Sequence, residues 1–142
     1  ESLLHLGRRA EARRRLSTAF DVLKELNAYP APALELDSEA VLALRALSAY
    51  ETTGGDLRRG AAIYQELLQR IDAGHPSTAT NLPEAVALSN LYGEASPLLR
   101  RAGLREEASA IDSRRLALWQ QWDTRLPGNR FVAAQLEGAR GR

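Results

Sequence analysis

The chain has 142 residues, of which 44% are hydrophobic and 26% are charged, and its formal net charge at pH 7 is +1. This length and apolar content are enough for one compact domain with a buried core, and the near-zero charge predicts no nucleic-acid partner. The absence of cysteine excludes a disulfide framework and a zinc–thiolate site. No apolar stretch reaches the ~20 residues of a membrane-spanning helix, so we predict no membrane insertion by this segment.

The N-terminal part of the chain predicts helical structure that is interrupted at Gly7. We expect residues 1–6 to form the end of one helix and residues 8–27 to form the next. In the second of these, apolar residues recur at the i, i+3, i+4, i+7 spacing of one buried stripe, namely Leu16, Ala19, Phe20, Leu23 and Leu26. The helix is expected to end before Pro30, because proline lacks an amide hydrogen and disfavours helix in the residue before it.

Two helical hairpins and a short final helix are predicted in the rest of the chain. The first hairpin covers residues 38–72 and turns at Gly55, and the second covers residues 83–125 and turns at Gly103. A capping helix is expected over residues 130–138, after which the chain end is predicted to fray. The absence of alternating apolar and polar residues indicates that the chain forms no strand.

Polar side chains that suit a helix N-terminus precede most of these predicted helices: Asp37 or Ser38, Asp56, Asn81 and Asn129. Glu84 follows Asn81 by three residues, which resembles a capping box. Pro97 lies inside the helix predicted over residues 83–102, where it removes one backbone hydrogen bond. We therefore expect this helix to kink near Pro97.

Three glycines define an internal repeat with a period of 48 residues: Gly7, Gly55 and Gly103. Five residues after each glycine stands a small residue, namely Ala12, Gly60 and Ala108. A fixed period of this length is typical of helical repeat proteins, which stack hairpins and usually bind partners. We therefore predict an all-α fold, with six to seven helices arranged as a right-handed α–α superhelix of antiparallel hairpins. The expected organisation is a single repeat domain over residues 1–142, in which residues 1–27 form a partial repeat.

This repeating unit resembles the tetratricopeptide repeat. That family combines a turn glycine after the first helix, a small residue where the paired helices approach, and large apolar residues in both helices. The second repeat has Tyr50, Gly54-Gly55, Gly60 and Tyr64 in these places. The third repeat keeps Tyr92, Gly103 and Ala108 but has Asp112 where Tyr64 would stand. The period of 48 residues also exceeds the ~34 residues of the family. Other α-hairpin repeats therefore remain an alternative.

The last third of the chain resembles the C-terminal region of certain bacterial serine/threonine protein kinases, which carry tetratricopeptide repeats after the kinase domain. The resemblance rests on the run from Arg114-Arg115-Leu116-Ala117-Leu118-Trp119-Gln120-Gln121-Trp122-Asp123 to Leu126-Pro127, Asn129 and Phe131-Val132. It implies a non-catalytic regulatory or scaffolding region, in the cytoplasm or in the exposed domain of a membrane-tethered protein. None of the kinase phosphate-loop, catalytic-loop or metal-binding motifs occurs in the sequence. Because Glu1 falls partway through a repeat unit, we expect a fragment of a longer chain.

Candidate catalytic and metal-binding residues are few, and we predict no catalytic site, cofactor or metal site in this segment. His5 and His75 have no converging partners nearby in the sequence. Asp112 is expected to pair with Arg114 or Arg115 rather than to act chemically. The tryptophans Trp119 and Trp122 are expected to pack under the capping helix with Phe131 and Leu136 rather than to form a recognition surface.

A partner groove is predicted on the first helix of each hairpin, opposite the stripe expected to be buried. Its residues are Val41, Arg45, Ser48 and Thr52, with Ser89, Gly93, Ser96 and Arg100 following at the 48-residue offset. Small polar side chains with an arginine on each helix would suit an extended or acidic peptide. An ordinary solvated face is the simpler interpretation of the same residues.

We therefore expect a non-catalytic module that binds a protein or peptide. Two alternatives involve other kinds of association: a free-standing tetratricopeptide scaffold, or a homodimer formed through apolar surface exposed at residues 1–27. A further alternative is an enzyme with an unrecognised site, which would need a pocket with clustered titratable groups.

Overall fold

The computed structural model describes residues 3–141 and the side chains of residues 6–141. These residues form six helices and no strand, so the predicted all-α fold is confirmed. The helices are α1 (Leu3–Glu25), α2 (Glu39–Thr53), α3 (Leu57–Ala73), α4 (Leu82–Arg101), α5 (Arg105–Arg125) and α6 (Arg130–Ala139). The chain divides between His75 and Pro76 into two compact units, the first built from α1–α3 and the second from α4–α6. The right-handed superhelix stays a prediction.

Gly7 lies within α1, so the helix end predicted at residues 1–6 and the turn predicted at Gly7 are wrong. A glycine inside a helix costs only about 1 kcal/mol relative to alanine. The helix α1 therefore continues through Gly7 at little cost.

The turns at Gly55 and Gly103 form as predicted and share one hydrogen-bonding pattern. In the α2–α3 turn, the amides of Asp56 and Gly55 donate to the carbonyls of Glu51 and Thr52, each at 3.0 Å. The same two bonds recur 48 residues later, from Leu104 to Leu99 at 2.8 Å and from Gly103 to Arg100 at 3.0 Å. Both glycines adopt positive φ, 96° and 85°, which glycine reaches without steric cost. The two hairpins therefore turn with the same backbone geometry, 48 residues apart.

Side-chain caps begin four of the helices at the predicted residues. In each case a side-chain oxygen accepts a hydrogen bond from the amide three residues further on, at 3.0–3.4 Å; the oxygens are Ser38 Oγ, Asp56 Oδ1, Asn81 Oδ1 and Asn129 Oδ1. Glu84 does not complete a capping box with Asn81, because its Oε2 instead accepts from the Ser77 amide at 3.1 Å. The helix α4 continues through Pro97 to Arg101.

The second unit has its core where α6 covers α5. Trp119 and Trp122 are buried there with Val132 and Leu136, as predicted. Phe131 remains 44% exposed but lies edge-on to the Trp119 ring, with 6.2 Å between ring centroids. The tryptophan pair is thus occupied by packing and does not present a recognition surface.

Candidate interaction site

Four of the predicted groove residues are buried, so the prediction that they face a partner is wrong for Val41, Ser48, Ser89 and Ser96. Their side chains are at most 4% exposed. The reason is that small side chains on α2 and α4 lie where helices approach closely, rather than on the opposite face. In the first unit, Ser48 Oγ donates to the Gly60 carbonyl at 2.8 Å across the α2–α3 hairpin.

Thr52 is half-buried at the same close approach. Its Oγ1 donates to the Ser48 carbonyl at 2.8 Å, one turn back along α2. A Cβ atom added at Gly60 would overlap Thr52 Oγ1 and would lie 3.0 Å from the Ser48 carbonyl oxygen. Thr52 therefore belongs to the packing of the hairpin, and Gly60 is small because its neighbours leave no room.

Ser89 is part of a buried polar contact in the second unit. Its Oγ accepts from Trp119 Nε1 at 2.9 Å and from Arg115 Nε at 3.0 Å. The Arg115 guanidinium also lies close to Gly93, where an added Cβ would be 3.2 Å from Nη1. This part of the predicted groove is therefore filled by side chains of α5.

The two arginines of the predicted groove are engaged within the chain. Arg100 Nη2 pairs with Asp112 Oδ2 at 2.6 Å, and Nη1 donates to Ser96 Oγ at 2.5 Å. The predicted pairing of Asp112 with Arg114 or Arg115 is thus wrong, because α4 supplies the partner across the hairpin. Arg45 is half-buried and also makes an interaction within the chain.

An open apolar groove lies elsewhere in the first unit, between α1 and α2, with a volume of about 1170 Å³. Its floor includes Leu23 and Ala43, which are buried. Large apolar side chains stand exposed along it: Leu26 at 71%, Leu42 at 53% and Val22 at 47%. Soluble proteins seldom leave several large apolar side chains exposed along one surface without a functional reason.

This groove corrects the stripe predicted to be buried on α1. Of Leu16, Ala19, Phe20, Leu23 and Leu26, only Leu23 is buried. The spacing correctly marked an apolar face, but α2 covers only one edge of it. The α2 wall of the groove, formed by Leu42, Ala46 and Ala49, was not predicted from the sequence. The signal was present, because α2 carries small or apolar residues on two faces instead of one.

The groove carries opposite charges at its two ends. Arg8, Arg9 and Arg15 line it along the N-terminal half of α1, whereas Glu39 lines it at the start of α2. Arg9 is held in place, with its guanidinium 4.2 Å from the Tyr50 ring centroid and donating to the Tyr50 carbonyl at 3.3 Å. Arg15 pairs with Glu11 at 2.7 Å within α1. Arg8 and Glu39 are exposed, and neither forms an ion pair with another described side chain.

The two histidines and the acidic residues were the remaining candidates for a catalytic or metal site. His75 is exposed in the loop before α4, and the His5 side chain lies outside the described residues. No group of three histidine, cysteine, aspartate or glutamate residues in the described part of the chain is arranged to hold a metal ion. None of the helices within residues 3–141 combines the length and hydropathy that crossing a membrane requires. Comparison of the chain with protein-family models, with curated proteins and with solved structures gave no match in any of the three.

Proposed function

We propose that this chain is a non-catalytic protein-interaction module that binds an amphipathic helix in the groove between α1 and α2. The proposal rests on one observation: Leu26 and Leu42 are both exposed and line opposite walls of the same groove. Covering a large apolar side chain contributes about 1.5–3 kcal/mol. A partner that covers both leucines would therefore gain a substantial part of its binding free energy from them.

A helix suits this groove better than an extended peptide does. A peptide that binds by adding a strand needs an exposed strand edge, and the backbone groups of α1 and α2 are used within the helices. The alanines Ala19, Ala46 and Ala49 along the walls allow an incoming helix to approach closely. Helix-in-groove binding of this kind relies on apolar anchors spaced three and four residues apart.

Within this proposal, the chain is a tetratricopeptide-like region that regulates or localises a bacterial serine/threonine protein kinase. The matching turns at Gly55 and Gly103 support the repeat resemblance, and the lack of kinase motifs in the sequence supports a non-catalytic role. A free-standing scaffold is the alternative. The reading frame upstream of Glu1 separates the two, because only the first requires a kinase domain there.

The groove is tested by selecting amphipathic helical peptides from a display library against sparsely immobilised protein. We expect the selected peptides to bind the Ala46→Arg variant about tenfold or more weakly than the wild type, a loss of ~1.4 kcal/mol in binding free energy. Arginine at position 46 would fill the groove without disfavouring helix. Ala62→Arg is the matched control, since Ala62 is exposed on α3 and does not line the groove. Failure to enrich any peptide, or binding that Ala46→Arg leaves unchanged, contradicts the proposal.

A further inference from the structure

We infer that the helix bound in this groove is α1 of a second copy of the chain, lying antiparallel to the first α1. This inference rests on the proposed function, since it names the partner of the same groove. It is carried by the charge of α1, by the charges at the ends of the groove, and by the spacing of the side chains that face the opening.

The exposed charges of α1 are divided along its length. The N-terminal half carries the exposed arginines Arg8, Arg13, Arg14 and Arg15, with Glu11 as its one exposed acid. The C-terminal half carries the exposed acids Asp21 and Glu25, together with Lys24. The helix is therefore basic at its start and more acidic towards its end, although the net charge of the whole chain is only +1.

The groove has the matching distribution of charge for an antiparallel helix. Its basic end is formed by Arg8, and its opposite end includes Glu39. A second α1 running antiparallel to the first would bring its Asp21 and Glu25 to the basic end. The same arrangement would bring its Arg8 towards Glu39. A parallel arrangement would instead place like charges beside each other, which disfavours association.

The spacing of the residues at the opening also fits two α1 helices. Six residues of this segment line the groove at intervals that alternate between four and three residues: Arg8, Ala12, Arg15, Ala19, Val22 and Leu26. This alternation is the spacing of the residues along the seam of a coiled coil, in which two helices pack along their length. In an antiparallel pair centred near Ser17, Arg8 of each copy lies across from Leu26 and beside Glu25 of the other. Val22 lies across from the small residue Ala12 in this register.

A two-fold symmetric pair makes each contact twice, because the same surface is used by both copies. Each copy would insert its own Leu26 and Val22 into the groove of the other. The exposed apolar side chains on the two walls of the groove would thereby be covered in both copies at once. The pairs between Arg8 and Glu25 at the rim would set the antiparallel direction.

Sedimentation equilibrium of the full chain tests this arrangement. We expect a reversible dimer whose dissociation constant rises about tenfold or more in Arg8→Glu and in Glu25→Arg, because each change converts two attractive contacts into two repulsive ones. The double variant Arg8→Glu/Glu25→Arg should dimerise more tightly than either single variant, since reversing both partners restores the two contacts between positions 8 and 25. The two residues are exposed, so circular dichroism should show unchanged helix content in all three variants.

Three outcomes would overturn the inference: a monomer at every concentration up to millimolar, a dimer that Ala46→Arg does not weaken, or single charge reversals that the double variant fails to rescue. A monomeric wild type that still binds selected peptides in the groove would overturn this inference and leave the proposed function standing. A monomer that binds no peptide would overturn both.

Discussion

Ser48 and Gly60 join α2 to α3 through a hydrogen bond of 2.8 Å from the Ser48 hydroxyl to the Gly60 carbonyl. Both residues are buried. The bond satisfies a hydroxyl group that would otherwise be buried without a partner, and it brings the two helices together where Gly60 has no side chain. The 48-residue offset relates Ser48 to Ser96 and Gly60 to Ala108, which are likewise small and buried.

Gly60→Ala should destabilise the first unit, although alanine is the better helix former. The added Cβ would overlap Thr52 Oγ1, and the backbone carbonyl of Ser48 at 3.0 Å limits how far the chain can adjust. We expect overpacking to lower the free energy of unfolding by roughly 1–3 kcal/mol, which exceeds the gain of about 1 kcal/mol in helix propensity. Gly60→Leu should be worse. Urea unfolding measures both effects.

The matched test for Gly60 is Thr52→Ala, which removes the atom that the new Cβ would meet. If overpacking against Thr52 is the cause, Gly60→Ala should cost less in the Thr52→Ala background than in the wild type. Equal costs in the two backgrounds, or a Gly60→Ala variant that is more stable than the wild type, would show that the close approach is not limiting.

Leu67→Ala should lower the free energy of unfolding by about 2–5 kcal/mol, because the Leu67 side chain is fully buried and its loss leaves a cavity. Leu42→Ala makes the same chemical change at a side chain that is 53% exposed. At dilutions where the chain is monomeric, we expect Leu42→Ala to change the stability by no more than ~0.5 kcal/mol. Urea denaturation of the two variants side by side checks this, and similar losses would mean that Leu42 is covered in solution.

Local sequence signals predicted the backbone of the hairpins well, because the residues that form a turn or a cap act on their own neighbours. Gly55 and Gly103 adopt positive φ, and Ser38 and Asn129 cap the helices that follow them. Gly7 shows the limit of this reasoning, since it has the same place in the repeat but lies inside α1. A glycine allows a helix to end, because it reaches positive φ without steric cost, but it does not require the helix to end there.

The buried and exposed faces of the helices were harder to predict than the helix ends. For this reason the candidate site in the structure, between α1 and α2, differs from the groove predicted on α2 and α4. Ser48 and Ser89 are small and polar, so periodicity assigned them to an open face, whereas they form buried hydrogen bonds across helix pairs. Leu26 belongs to a regular apolar stripe, so periodicity assigned it to the core, yet it is 71% exposed. An apolar pattern predicts that a face favours burial, and it does not say which element covers that face.

Tyr29 gives the first unit a predictable response to alkaline pH. Its hydroxyl donates to Glu66 Oε1 at 3.2 Å. Burial raises the pKa of Tyr29 above its usual value of 10.0, and the Glu66 carboxylate raises it further, while Arg70 opposes the shift. Because the folded pKa is above the unfolded pKa, this contribution to stability is complete below about pH 10 and is lost as the pH rises through the folded pKa.

Unfolding of the wild type and of Tyr29→Phe from about pH 9 to about pH 11 measures this contribution. We expect the free energy of unfolding to fall more steeply with pH in the wild type, since Tyr29→Phe has no proton to lose at this position. Glu66→Gln should lower the pKa of Tyr29, because it removes the neighbouring negative charge. Equal slopes for the wild type and Tyr29→Phe would mean that the Tyr29 hydroxyl titrates alike in the folded and unfolded chains.

Ser89→Ala should destabilise the second unit although it changes only one atom. The Trp119 side chain is fully buried, and its Nε1–H would lose its acceptor, as would the Nε–H of Arg115. An unsatisfied buried donor costs about 1–3 kcal/mol. Ser109→Ala is the control, because Ser109 is exposed on the same helix as Trp119 and gains the same preference for alanine in a helix. Thermal unfolding followed by tryptophan fluorescence compares the two variants. A Ser89→Ala variant as stable as Ser109→Ala would mean that another acceptor or a water molecule replaces the serine hydroxyl.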